Sequence, residues 1–199
     1  MEKRDIRLDF LRGTALMMMF ADHVPNNPFS LATIQSFAFS DAAELFFFLS
    51  GFVAAMVYGR VLDARGFMAG AARVWRRAWD IYAAQMVLLF FFVAEICAVA
   101  AALPATGYLH YFRIEAFVAQ TETTVMQSLL LRFQPQYLDI LPVYAIFFVL
   151  LPFVLAALKR GPWLVLLASF LIYAGTQFFG WNITTHPTGE GWFFDPFAW

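Results

Sequence analysis

Cysteine is almost missing from this chain of 199 residues: Cys97 stands alone, so no intrachain disulfide can form. Its setting in the apolar run "LLFFFVAEICAVAAAL" reads as that of a small buried hydrophobe. Charge is scarce too. Only 14% of residues are charged and the net charge is −1, which argues against a nucleic-acid surface and against a strongly basic membrane-surface peptide. Repeats, low-complexity tracts and linkers are also lacking, so residues 1–199 read as one domain or part of one.

What fills the chain instead is apolar. Hydrophobic residues make up 62%, with 25 phenylalanines and 6 tryptophans, and the mean hydropathy is +0.68. That composition lies outside the range of soluble domains and predicts an all-α integral membrane protein, a polytopic helix bundle. A cleavable signal peptide is disfavoured, although Lys3, Arg4 and Arg7 precede an apolar stretch. Asp9 and Arg12 interrupt that stretch, no A-x-A site follows, and four more apolar runs come after it.

Roughly 20 apolar residues cross a bilayer as a helix. Five candidate spans emerge at about 8–24, 41–59, 78–103, 139–158 and 162–180. With the N-terminus inside, ten lysines and arginines fall in the inner segments and only Arg113 and Arg132 in the outer ones. The positive-inside bias therefore predicts a cytoplasmic N-terminus and, for a bacterial chain, a multi-pass inner-membrane protein. The outer segment 104–138 is too long for a simple turn, and its "TTVMQSLLLRF" fits an amphipathic helix lying in the interface. The last segment, "WNITTHPTGEGWFFDPFAW", sets Asp195 before Pro196, a helix-start signal. A sixth span beginning at Phe197, after an odd number of spans, predicts a piece of a longer chain.

Ionisable residues at membrane depth cost a few kcal/mol or more, so they usually face a protein interior or a wet cavity. In "RGTALMMMFADHV", Arg12 and His23 are eleven residues apart. On a helix they lie within about 20° of azimuth and about 16 Å apart along the axis, on one face at two depths. Asp9 is spaced to pair with Arg12 at i,i+3. The second span enters through "SDAAELFFFLSGF", which brings Asp41 and Glu44 to the depth of His23, where a carboxylate would orient the imidazole as a base. Ser50-Gly51 is a small pair that admits close helix packing or a bound chain. Blander roles exist for each: Arg12 snorkelling to headgroups, His23 capping a helix end beside Pro25, Ser50-Gly51 as a packing notch. Arg73, Arg76 and Arg77 fit either topology and lipid headgroups, or a phosphate-bearing ligand gripped by bidentate guanidinium groups. Trp181 and Trp192 fit interface anchoring or stacking against a sugar.

The R-x10-H pattern of Arg12 and His23, followed by "ELFFFLSGF", resembles the membrane-bound acyltransferase-3 superfamily. More narrowly, the ordered blocks "RLDFLRGTALMMMFADHVPNN", "FSDAAELFFFLSGFVAAMVYG", "YLDILPVYAIFFVLLP" and "WFFDPFAW" look like the OpgC family, linked to succinylation of osmoregulated periplasmic glucans. The resemblance implies a protein of about ten spans, of which this chain would be the N-terminal part of a single acyltransferase domain. It implies acyl transfer from a cytoplasmic acyl-CoA, succinyl-CoA, to sugar hydroxyls of a periplasmic glucan, with no metal. The His23 position would be essential and the Arg12 position would lie on the donor path, with Ser50, Gly51, Arg73, Arg76 and Arg77 as further donor-binding positions. One departure stands out: where the superfamily has R-x-x-R and a proline entering the third span, "RVWRRAWDIYAAQ" offers Arg73 and Arg76, but Asp80 and Ala83 fill the corresponding positions in the other register. Rival expectations are an O-acetyltransferase of surface polysaccharide and a transporter using Arg12, His23 and Glu44 as a substrate or proton path.

Overall fold

The computed structural model describes residues 5–198, so Lys3, Arg4 and Trp199 of the sequence argument lie outside the described residues. The expected all-helical architecture is what forms, with one isolated bridge, Thr184 to Gly191, as the β-type pairing among those residues. The chain divides into two compact units, Met1–Gly66 and Phe67–Trp199.

In the first unit, α1 runs Ile6–His23, begun by Asp5, whose carboxylate accepts from the Arg7 N–H at 3.0 Å. It stops before Pro25, as a chain entering proline must leave helical geometry. Its eighteen residues include Arg7, Asp9, Arg12 and Asp22, so it forms where the first span was expected without being apolar enough to count as one. Among the described residues, four other helices are long and apolar enough to cross a membrane, against the five spans expected. The connection to α2 is held down by Thr33, buried, which donates to Asp22 Oδ1 at 2.6 Å and to the Ser30 carbonyl at 2.7 Å. Helix α2, Ala42–Arg65, starts at Asp41, which accepts from the Glu44 N–H at 2.9 Å. It ends at Gly66, whose φ of 78° is open to glycine and strained for most other residues. Small buried residues, Ala15 on α1 with Ser50 and Ala54 on α2, allow the two backbones to approach.

In the second unit, α3 is one unbroken helix, Phe67–Ala102. Its 36 residues extend about 54 Å, well beyond the roughly 30 Å of bilayer hydrocarbon. The helix thus begins eleven residues before the expected span at 78, and this leading section carries Arg73, Arg76 and Arg77. Helix α7, Ile140–Arg160, lies antiparallel to it: Gln85 Nε2 donates to the Leu138 carbonyl at 2.9 Å, Trp75 Nε1 to the Val149 carbonyl at 3.1 Å, and Phe67 meets Phe153. Pro152, inside α7, has no N–H to donate to the Phe148 carbonyl four residues back. Helix α8, Pro162–Phe179, turns back after Gly161, with proline at its first position.

The segment between α3 and α7 folds as three short helices, α4 Tyr108–Tyr111, α5 Glu115–Ala119 and α6 Thr121–Leu129. Ile114 and Phe133 from this segment close a core with Leu89, Val93 and Ile96 of α3. Helix α6 falls within the stretch read as an interfacial helix. It turns its hydroxyls Thr124 and Ser128 inward and leaves Met126 and Leu129 exposed, the polarity suited to an apolar surrounding. At the expected start of a sixth span, Asp195 Oδ1 accepts from the Phe197 N–H at 2.9 Å and its carbonyl from Ala198 at 3.1 Å, so the capping turn is present. No sixth helix follows among the described residues.

Candidate functional site

Arg12 sits in the middle of α1, half-buried, and its Nε donates to Ser50 Oγ of α2 at 3.1 Å. The guanidinium carbon stands 5.6 Å from the centroid of the Phe46 ring, a cation–π placement. Ser50 is 2% exposed, so this is a buried anchor that joins the R-x10-H helix to the "ELFFFLSGF" stretch. Arg12 crosses to α2, where Ser50 and Phe46 offer an acceptor and a ring face together. Its terminal amino groups keep their donors for a further acceptor. Gly51, next in sequence, is exposed, and a Cβ there would meet nothing within 4 Å. The pair therefore divides its roles, Ser50 inward and Gly51 outward.

His23 is the last residue of α1 and is exposed. Its Nδ1 lies 2.6 Å from the Met19 carbonyl, four residues earlier. A carbonyl only accepts, so the Nδ1 must carry the proton, and the neutral ring then presents Nε2 as the basic nitrogen. The group holding Nδ1 is thus a backbone carbonyl of the same helix. Asp41 uses Oδ1 to cap α2 at the Glu44 N–H, and the Glu44 side chain is exposed.

In the second unit, Arg73, Arg76 and Arg77 are all exposed on the leading section of α3, opposite the buried Ala71, Val74 and Ala78. None of the three makes a hydrogen bond or ion pair with another described residue.

A cleft of about 760 Å³, which sequence reasoning had not found, opens at the other end of this unit, where α3 and α8 finish and α7 begins. Two distant segments build it. The first follows α3 and brings His110, Arg113 and Glu115, with His110 Nδ1 and Glu115 Oε1 3.1 Å apart. The second is the turn after α8, closed by Thr185 N–H to the Glu190 carbonyl at 2.6 Å and by Asn182, which bonds Trp192 in both directions at 3.0 Å. Arg132 clamps the two: Nε and Nη2 donate to Thr184 at 3.1 and 2.7 Å, while its carbonyl accepts from the His186 N–H at 2.8 Å. Tyr111 and Tyr137 share a hydroxyl–hydroxyl bond of 2.8 Å nearby, which, with partial burial, raises the Tyr137 pKa and keeps the phenol protonated. The non-glycine residues Arg113, Leu131 and Tyr137 hold positive φ in this segment, a cost that the surrounding bonds must offset.

The tryptophans divide. Trp192 is 3% exposed and so is no stacking platform, whereas Trp181 is exposed, stacked on Phe179. The ring that lies open on the cleft is Phe193, 77% exposed. A signal for the cleft did exist: Gln134, Gln136, Thr184, Thr185 and Glu190 concentrate uncharged and acidic polarity in a chain otherwise poor in it.

A family model described as OpgC protein matches residues 4–199. No curated protein matches the chain, and no solved structure does.

Proposed function

The chain belongs to the OpgC family, a membrane family of acyltransferase-like function in glucan modification, and from that premise we propose the finer reaction. The protein moves a succinyl group from a cytoplasmic succinyl-CoA to hydroxyls of a periplasmic glucan, as a multi-pass protein of the bacterial inner membrane with its N-terminus in the cytoplasm. The observation that carries this reading is the state of His23, a histidine at a helix end whose Nδ1 is committed to the Met19 carbonyl, leaving Nε2 basic.

In this reading Nε2 takes the proton of the acceptor hydroxyl as its oxygen attacks the thioester carbonyl. The C–O bond forms, the C–S bond breaks, and the departing coenzyme A thiolate recovers the proton from the imidazolium. Transfer through an acyl-histidine uses the same nitrogen as nucleophile. Arg12, anchored by Ser50 and Phe46, supports donor binding through its remaining N–H groups, and Gly51 leaves room beside it. Arg73, Arg76 and Arg77, exposed and unpaired, suit the phosphates of the donor, since a guanidinium binds them bidentately. Asp41 caps the start of α2 and Glu44 is exposed there, and either carboxylate would stabilise the imidazolium that forms at His23.

The test is glucan from cells whose full-length protein carries His23→Ala. Removal of a general base lowers rates by about 10²–10⁴-fold, so the glucan should lose its acyl groups. Glucan that remains fully acylated would sink the reading and return the Arg12, His23 and Glu44 set to a transport role. Mass analysis of the parent's product separates succinyl, which adds a carboxylate, from acetyl.

A further inference from the structure

We propose that the cleft at the α3 and α8 ends of the second unit is a binding site for a neutral, hydroxyl-rich carbohydrate chain, and that it holds the acceptor. The assignment rests on the acyl-transfer reading above. It is argued from the cleft's own size, chemistry and charge.

The volume of about 760 Å³ lies within the roughly 300–1,000 Å³ typical of small-molecule sites and leaves room for a short run of sugar rings. The side chains are those a polyol needs. A sugar hydroxyl both donates and accepts, and the amides of Gln120, Gln134 and Gln136 do the same, while Asp139 and Glu190 accept from hydroxyl donors. Phe193 presents an open ring face, an apolar partner for the C–H face of a pyranose.

Charge separates this site from one for the donor. The cleft has three carboxylates, Glu115, Asp139 and Glu190, against one guanidinium, Arg113. A polyphosphate such as coenzyme A is repelled there, whereas a neutral chain is not. The arginines unpaired on α3 lie at the opposite end of the same helix. The cleft's end of the bundle is also the one that the loop charges assign to the outside.

The site is held ready before a ligand arrives. Arg132 ties the two segments together through three hydrogen bonds, and Asn182 braces the turn. His186 is held on the lining by its backbone N–H, which donates to the Arg132 carbonyl at 2.8 Å.

The probe is unsubstituted periplasmic glucan from cells lacking the gene, labelled and bound to the full-length protein in detergent. Phe193→Ala and Glu190→Gln alter exposed residues, so the fold should survive both. Each should weaken glucan binding and raise the acceptor KM by about tenfold, with the donor KM and kcat within about twofold of the parent. Phe193→Tyr should restore binding. Variants that bind glucan like the parent, or that change the donor KM instead, overturn the cleft assignment while leaving acyl transfer intact. A parent protein that neither binds nor acylates glucan overturns both together.

Discussion

Arg12 and Tyr137 show how single residues acquire different weights from one kind of bond. Arg12 commits Nε to a buried serine and its face to Phe46, which costs it mobility and leaves a directed pair of amino groups behind. Its helical phase was legible in the sequence because 100° per residue fixes azimuth; its partner was not, since Asp9 and Ser50 were both within reach on spacing alone. The same limit applied to His23, whose Nδ1 contact with the carbonyl four residues back does not show in residue spacing. Tyr137 lies in the connection outside the spans, and its shared bond with Tyr111 raises its pKa above the ordinary value of 10.0. A group whose folded pKa is raised gives stability that is fully present below the unfolded value and is lost as pH climbs through the folded one. Melting of the detergent-solubilised protein should therefore fall as pH rises past about 10, and Tyr137→Phe should flatten that decline. An unchanged alkaline slope in the variant would mean that the pair does not carry it.

At the scale of elements, hydropathy located the long helices well because their burial is set by lipid rather than by fine packing. Their ends were less legible: α2 runs to Arg65 and α3 begins at Phe67, both deep in stretches read as loops, because a helix continues past the membrane until something stops it, here Gly66. Packing against glycine was invisible in the same way. A Cβ built at Gly175 of α8 would stand 2.5 Å from the Trp181 ring, closer than any van der Waals contact allows. Gly175→Ala should displace that ring and cost about 1–3 kcal/mol, read as a lower melting temperature. With Trp181→Ala already in place the clash has no partner, so adding Gly175→Ala should then cost almost nothing. Equal losses in the two backgrounds would place the cost in the helix backbone instead.

For the whole molecule, the sequence carried the class and the membrane character but not the cleft, whose lining joins residues near 110–139 to residues near 185–193. No local pattern reports such a juxtaposition, because it depends on α7 and α8 returning the chain to the end of α3. The sidedness proposed for that end rests on charge: with the N-terminus inside, ten basic residues fall in the inner segments and two in the outer ones. Thiol labelling in intact cells checks it, starting from a full-length protein in which Cys97, and any cysteine outside residues 1–199, is replaced by serine. His110, 86% exposed on the cleft, and Arg77, exposed on the leading section of α3, mark the two ends. A membrane-impermeant maleimide should label His110→Cys in intact cells, and should label Arg77→Cys only once the inner membrane is opened. Because both positions lie on or just after one helix that is longer than the bilayer is thick, the two results must oppose each other if α3 crosses it. The reverse pattern would put the cleft in the cytoplasm and deny it a periplasmic acceptor, while equal labelling of both would deny that α3 crosses at all.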